Sequence, residues 1–281
     1  MTYIPSAPRF HSPSAPLRAA LASLPGYDTH VNAVEGLKAP LVAAVRAQHE
    51  ATATHAGIAA ALAETMLDTP ATETPGVIAA STSAAAAATD QARTAAAGIQ
   101  IIEAAEKQLG IELDNIIRRG YDQLLSHLNG TLKDAYTQSR KLGLHGIHDA
   151  EQAIEAGKAD EWSAMLKHRA TIFHIRAAQT MLVERLGSHE SLQRVGTFGL
   201  LANYAELWPG WYGGTARDRW AREDTAAPWP TRNGDTDPAA LHAWILDHDD
   251  AEPWVPTAAQ LTAAVKTAEA AARAAQAKQD A

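Results

Sequence analysis

The chain has 281 residues, a formal net charge of −8 and no cysteine. The acidic balance argues against non-specific nucleic-acid binding, which needs clustered Lys and Arg to neutralise phosphate. The missing thiols exclude disulfides, thiolate metal sites and cysteine nucleophiles. Hydrophobic residues make up 46%, but alanine supplies much of that share, and aromatics are only 6%. Alanine costs little entropy in a helix and fills little volume, so the composition favours long helices over sheets with thick cores.

Residues 1–36 read as an extended arm, interrupted by Pro5, Pro8, Pro13, Pro16 and Pro25. A short helix is expected over 15–24, where Leu17, Leu21 and Leu24 recur at helical spacing, followed by a Pro25-Gly26 turn. The arm holds no apolar run of signal-peptide length, and no stretch of the chain approaches the ~20 apolar residues that span a bilayer. A soluble, cytoplasmic protein is expected.

A first long helix is expected over 38–67, with Leu41, Val45, Ile58, Leu62 and Met66 as an uneven apolar stripe. Two prolines and a glycine between Thr69 and Gly76 then turn the chain. A second helix runs from about Val77 to Leu109 and contains five consecutive alanines, Ala84–Ala88, with Gly110 expected to bend or end it. The best-patterned seam follows. Leu113, Ile117, Tyr121, Leu124, Leu128, Leu132 and Ala135 step by threes and fours along one helical face. Such a seam must be covered by another helix, in the same chain or in a partner.

Gly143 and Gly146 break the chain before a helix over 158–186 with a wide apolar face, which Gly187 terminates. From about 196 the composition shifts, and six of the seven Trp lie between Trp208 and Trp254. Asp237-Pro238 is a helix start with Asp as N-cap and Pro at the first helical position. Thr257 and Gln260 match a capping box for a terminal alanine-rich helix, which has only Leu261 and Val265 to bury and so frays or docks. These elements define three parts: an arm (1–36), a helical bundle (37–195) and a Trp-rich segment with C-terminal helices (196–281).

Catalytic motifs are missing. No His is preceded three residues earlier by Glu or Asp, the spacing of helical di-iron sites. Gly-x-Ser-x-Gly and the phosphate-binding glycine loops are absent as well. His145, His148 and Asp149 are the candidates for a metal, because His145 and His148 have i, i+3 spacing, although the neighbouring glycines favour a turn. A second acidic and histidine cluster spans His242 and Asp247 to Asp250. Trp208, Trp211 and Tyr212 form the most distinctive local feature, readable as a mini-core, a protein hot spot or a stacking platform for a sugar ring.

The Pro-rich arm (Tyr3-Ile4-Pro5-Ser6-Ala7-Pro8), the alanine-rich helices and the acidic, cysteine-free composition resemble helical virion or assembly proteins of tailed phages that infect actinobacteria. The terminal helix with Lys266, Arg273 and Lys278 is similar to that of scaffolding proteins, where such a helix docks on the coat protein. The Trp-rich segment and the wide apolar face at 162–186 depart from a scaffold and imply a permanent head or head–tail component, located in the host cytoplasm and the virion.

The expected fold is all-α, an alanine-rich helical bundle or elongated hairpin with a Trp-rich, loop-rich C-terminal part. The expected function is a non-enzymatic structural or assembly role without a cofactor. It would act through self-association or contacts with other structural proteins, with no direct binding of nucleic acid or membrane. The contact residues expected are Leu113, Ile117, Tyr121, Leu124, Leu128 and Leu132 of the seam, together with Trp208, Trp211 and Tyr212. The alternatives are a metal-dependent helical enzyme using His145 and His148, and a glycan-binding module using Trp208–Tyr212.

Overall fold

A computed structural model describes residues 13–208, 228–229, 231–232 and 235–279. The fold is all-α. In chain order the helices are α1 (Ala15–Ala22), α2 (Tyr27–Gly36), α3 (Lys38–Asp68), α4 (Thr74–Arg119), α5 (Tyr121–Lys141), α6 (Ala150–Glu155), α7 (Ala159–Leu186), α8 (His189–Phe198), α9 (Tyr204–Leu207), α10 (Pro238–Asp247) and α11 (Ala258–Gln279). Among the described residues, extended pairing is confined to β1 (Thr231–Arg232) against β2 (Asp235–Thr236) and a bridge between Leu201 and Pro253.

The chain divides into two compact units. One is built on Pro25–Ile116 and the other on the segment ending at Leu24 together with the chain from Ile117 onward. The expected boundary near 196 coincides with neither division. Within the stretch 1–36 expected as an arm, Tyr27–Gly36 form α2, and the short helix expected over 15–24 is present as α1 (Ala15–Ala22). Leu17 and Leu21 are the reason: both are fully buried where α1 packs on α5 and α7. The arm residues 1–12 lie outside the described residues.

In the second unit α5 and α7 form the central pair. Leu124, Leu125, Leu128 and Leu132 of α5 and Ile172, Ile175 and Leu182 of α7 are all buried, the buried stripe each helix needs. The seam is therefore used inside the chain. It is also split between two helices, because the break falls at Gly120 and not at Gly110, through which α4 continues to Arg119. Asp149 caps α6 by accepting from Gln152 N at 2.8 Å, while His148 N donates to the Gln152 side chain at 2.9 Å.

The segments after α8 are tied to α7 by one cation. Arg176 donates from Nη1 to the carbonyls of Gly199 and Trp254, both at 2.7 Å, and to Gln179 Oε1 at 2.9 Å, and from Nη2 to the carbonyl of Leu200 at 2.9 Å. Burial lowers its pKa from 12.5 to about 10, so it stays charged at neutral pH, neutralised by carbonyl dipoles. Arg140 does similar work on α10. Its Nη2 donates to the carbonyls of Ile245, His248 and Ala251 at 3.1–3.2 Å, holding the turn that leaves this helix.

The C-terminal capping box forms reciprocally, with Thr257 N donating to Gln260 Oε1 at 2.9 Å and Gln260 N to Thr257 Oγ1 at 3.3 Å. The terminal helix α11 docks on α8 and buries Leu261, Val265 and Ala268. Replacing Arg176 with Met should cost about 3 kcal/mol, because the carbonyl of Trp254 loses its donor and those of Gly199 and Leu200 keep only the longer bonds from Gln179 Nε2 and Trp254 N, both 3.3 Å. Urea unfolding followed by Trp fluorescence measures it, and a variant as stable as the parent would refute the tie.

Candidate functional site

Three places carry the residues that could act. The first is the aromatic segment. Tyr204 packs against Phe198, Trp208 and Trp229 at ring-centroid distances of 5.1, 5.7 and 5.3 Å. Trp229 meets Trp208 edge-on at 5.6 Å and Trp244 at 5.6 Å. These tilted and T-shaped arrangements are those that buried rings adopt. Trp254 adds an indole N–H bond to the carbonyl of Phe198 at 2.9 Å. Trp208 is thus engaged with Tyr204 and Trp229 in a cluster of rings. Trp211 and Tyr212 lie outside the described residues.

The second place is the histidine corner. His145 and His148 do come together, but Asp149, turned to cap α6, is not their partner. Asp247, the last residue of α10, takes that role. Its Oδ1 accepts from Gly146 N at 2.9 Å and lies 3.3 Å from His145 Nδ1, and its Oδ2 lies 3.7 Å from His148 Nδ1. Both imidazoles are more than half exposed, so the contacts contribute little energy. Among the described residues no group of three or more His, Cys, Asp and Glu is arranged to hold a metal ion. The second cluster also separates. His248 stacks on Trp244 at 4.0 Å, and the Asp249 side chain is open to solvent.

Behind this corner sits His242, 2% exposed, whose ring lies 5.4 Å from that of Tyr136. Neither ring nitrogen finds a hydrogen-bonding partner in the protein. Burial lowers its pKa from 6.5 to about 4, and Arg169 and His168 also push it down. The adjoining cavity is lined by Trp162, Met165, Arg169, His148 and Asp247, and its 30 Å³ accommodates about one water molecule rather than a substrate. The imidazole is therefore a neutral core group.

The third place is the unit built on α2, α3 and α4, to which residue patterning alone assigns no site. Of the 31 residues of α3 only Ala51 is buried. The less exposed positions on α3 (Leu41, Ala44, Gln48, Ala51, Ile58, Leu62) follow one heptad-like line. The rest of the surface carries Val42 at 64% exposure, Leu67 at 86% and, on α4, Ile101 at 70%. Thr52, Thr54 and Thr65 return their hydroxyl protons to carbonyls one turn back, so they present methyl groups outward. The sequence signal for this surface is apolar residues off the heptad-like line, Val42 beside Leu41 and the pair Met66-Leu67.

Because the unfolded chain protonates His242 first, its contribution to stability is complete above pH 6.5 and declines as the pH falls toward 4. Unfolding free energy should drop by about 2 kcal/mol between pH 7 and pH 5 from this group. His242→Leu should remove that part of the slope, as paired urea titrations at the two pH values would reveal. An unchanged slope would show that the ring is not buried in its neutral form. No protein-family model, no curated protein and no solved structure matches this chain.

Proposed function

We propose that the protein is a non-enzymatic structural or assembly component that acts through protein–protein contacts, and that it associates with copies of itself through α3 and α4. The observation that carries this reading is the exposure of large apolar side chains on these two helices. Val42, Val45, Met66 and Leu67 on α3, and Ile78, Ile101 and Ile111 on α4, stand exposed. Exposed apolar side chains scattered singly are ordinary, but a run of them along two helices that bury almost nothing else is the mark of an interaction surface.

The other sites support the same reading by what they are engaged in. The described aromatic rings pack on one another, the histidine corner is exposed, and the cavity behind it accepts no substrate. The setting we assign is the particle of a tailed phage, as a head or head–tail component. The supports are the alanine-rich helices, the acidic, cysteine-free composition and the proline-rich leading segment. No helix among the described residues is long and apolar enough to cross a membrane, so the exposed face is not a bilayer-spanning one.

Sedimentation equilibrium across the micromolar range tests the reading. The expected result is a mass above that of one chain, falling toward it on dilution. A mass equal to one chain at every concentration would remove the basis for self-association.

A further inference from the structure

The charges on α3 are arranged against its own dipole. Its N-terminal half carries Lys38, Arg46 and one acid, Glu50, and its C-terminal end carries Glu64 and Asp68. No acid lies in the first turn and no base in the last, the reverse of what a solitary helix favours. Among the described residues nothing corrects this. After Glu73 the segment 74–89, which opens α4, holds no charged residue. Among the described interactions, Lys38 meets Glu35 at 2.5 Å, and no ion pair is formed by Arg46, Glu64 or Asp68.

Four of these charges, Arg46, Glu50, Glu64 and Asp68, share one face. Arg46 and Glu64 are eighteen residues apart, as are Glu50 and Asp68, and eighteen residues make five full helical turns. Both charge groups border shallow grooves on the α3 surface, one beside Val42 and Arg46 and the other beside Glu64 and Asp68. The face points away from the buried Ala51 line, since the two differ by about half a turn. Between the two charge groups it carries only small side chains, Ala53, Gly57, Ala60 and Ala61 among them. Gly57 has open space where a Cβ would stand. A glycine there weakens the helix relative to alanine, and what it offers in return is a close approach by another backbone.

The geometry points to a second copy of this chain as the occupant of that face, with α3 packed antiparallel on its counterpart about a two-fold axis near residue 55. Val42 then covers Leu67 of the other copy, Arg46 meets its Glu64, and Ala53 faces its Gly57 where the helices cross. Each contact occurs twice by symmetry. A parallel pairing would instead place Arg46 beside Arg46 and the acids beside one another, which repel. This arrangement rests on the proposed self-association and adds its surface and direction.

Because the chain has no cysteine, introduced thiols are the only ones present. The test mixes equal amounts of full-length Val42→Cys and Leu67→Cys under mild oxidation. Both positions are exposed, so neither change disturbs the core. In the antiparallel pair the thiol introduced at position 42 lies beside the one introduced at position 67, while like positions are about 37 Å apart, far beyond disulfide reach. The expected product is the mixed 42–67 disulfide in large excess over 42–42 and 67–67. Predominant 42–42 and 67–67 links would overturn the direction. Absence of any link, in a protein that sedimentation shows to be oligomeric, would overturn the α3 surface while leaving self-association standing. A monomer would remove both.

Charge exchange gives a second readout. Arg46→Glu should raise the dissociation constant roughly tenfold, and the double variant Arg46→Glu/Glu64→Arg should return it to within about threefold of the parent. A double variant no better than the single one would contradict the pairing of these two positions.

Discussion

Helices need somewhere to put an apolar face, and the length of α3 and α4 far exceeds the surface that the described residues provide to cover them. The two helices run for 31 and 46 residues, yet the side chains buried along them are few: Ala51 on α3, and Ala88, Leu113 and Ile117 on α4. Alanine explains how the helices persist under that shortage. Its helix propensity is the highest of any residue, and both helices exceed the 12–15 residues below which isolated helices are marginal. Local preference makes the helices, but it does not give them a partner. Val42, Leu67 and Ile101 stand exposed along them, which is where the proposed self-association places its contacts.

The second unit is built on the opposite principle. There the covering is dense, and polar groups tie irregular segments to it. Arg176 gathers carbonyls from the end of α8 and from Trp254, and Arg140 gathers those that end α10. Arginine suits this role because its fork presents several donors in a fixed geometry and resists deprotonation when buried. The ring cluster from Phe198 to Trp244 fills the same region with large apolar groups. Within it His242 is held neutral and buried, and His248 stacks on Trp244.

Helix periodicity makes most of the elements legible. The spans of α1, α3, α7, α10 and both capping devices follow from leucine spacing, glycine stops and the Asp237-Pro238 and Thr257-Gln260 pairs. The break in the long seam is not legible, because Gly110 and Gly120 look alike in sequence and only packing decides which one bends. Periodicity leaves open whether the seam is covered within the chain or by a partner, and α1, the short helix expected within the leading arm, helps to cover it. Asp247 reads in sequence as an acid after a helix, but its meeting with His145 and His148 spans about a hundred residues, and spacing carries no such information. Arg176 is hidden for the same reason. An arginine inside an apolar face looks like an interruption until the carbonyls it serves are seen.

If α3 and α4 become fully ordered by association, and the α5–α7 pair is complete within one chain, the two pairs must respond differently to dilution. Amide hydrogen exchange measured at several protein concentrations tests this directly. Protection of amides in α3 and α4 should rise with concentration, while that of α5 and α7 stays constant. Equal protection of all four helices, independent of concentration, would contradict it.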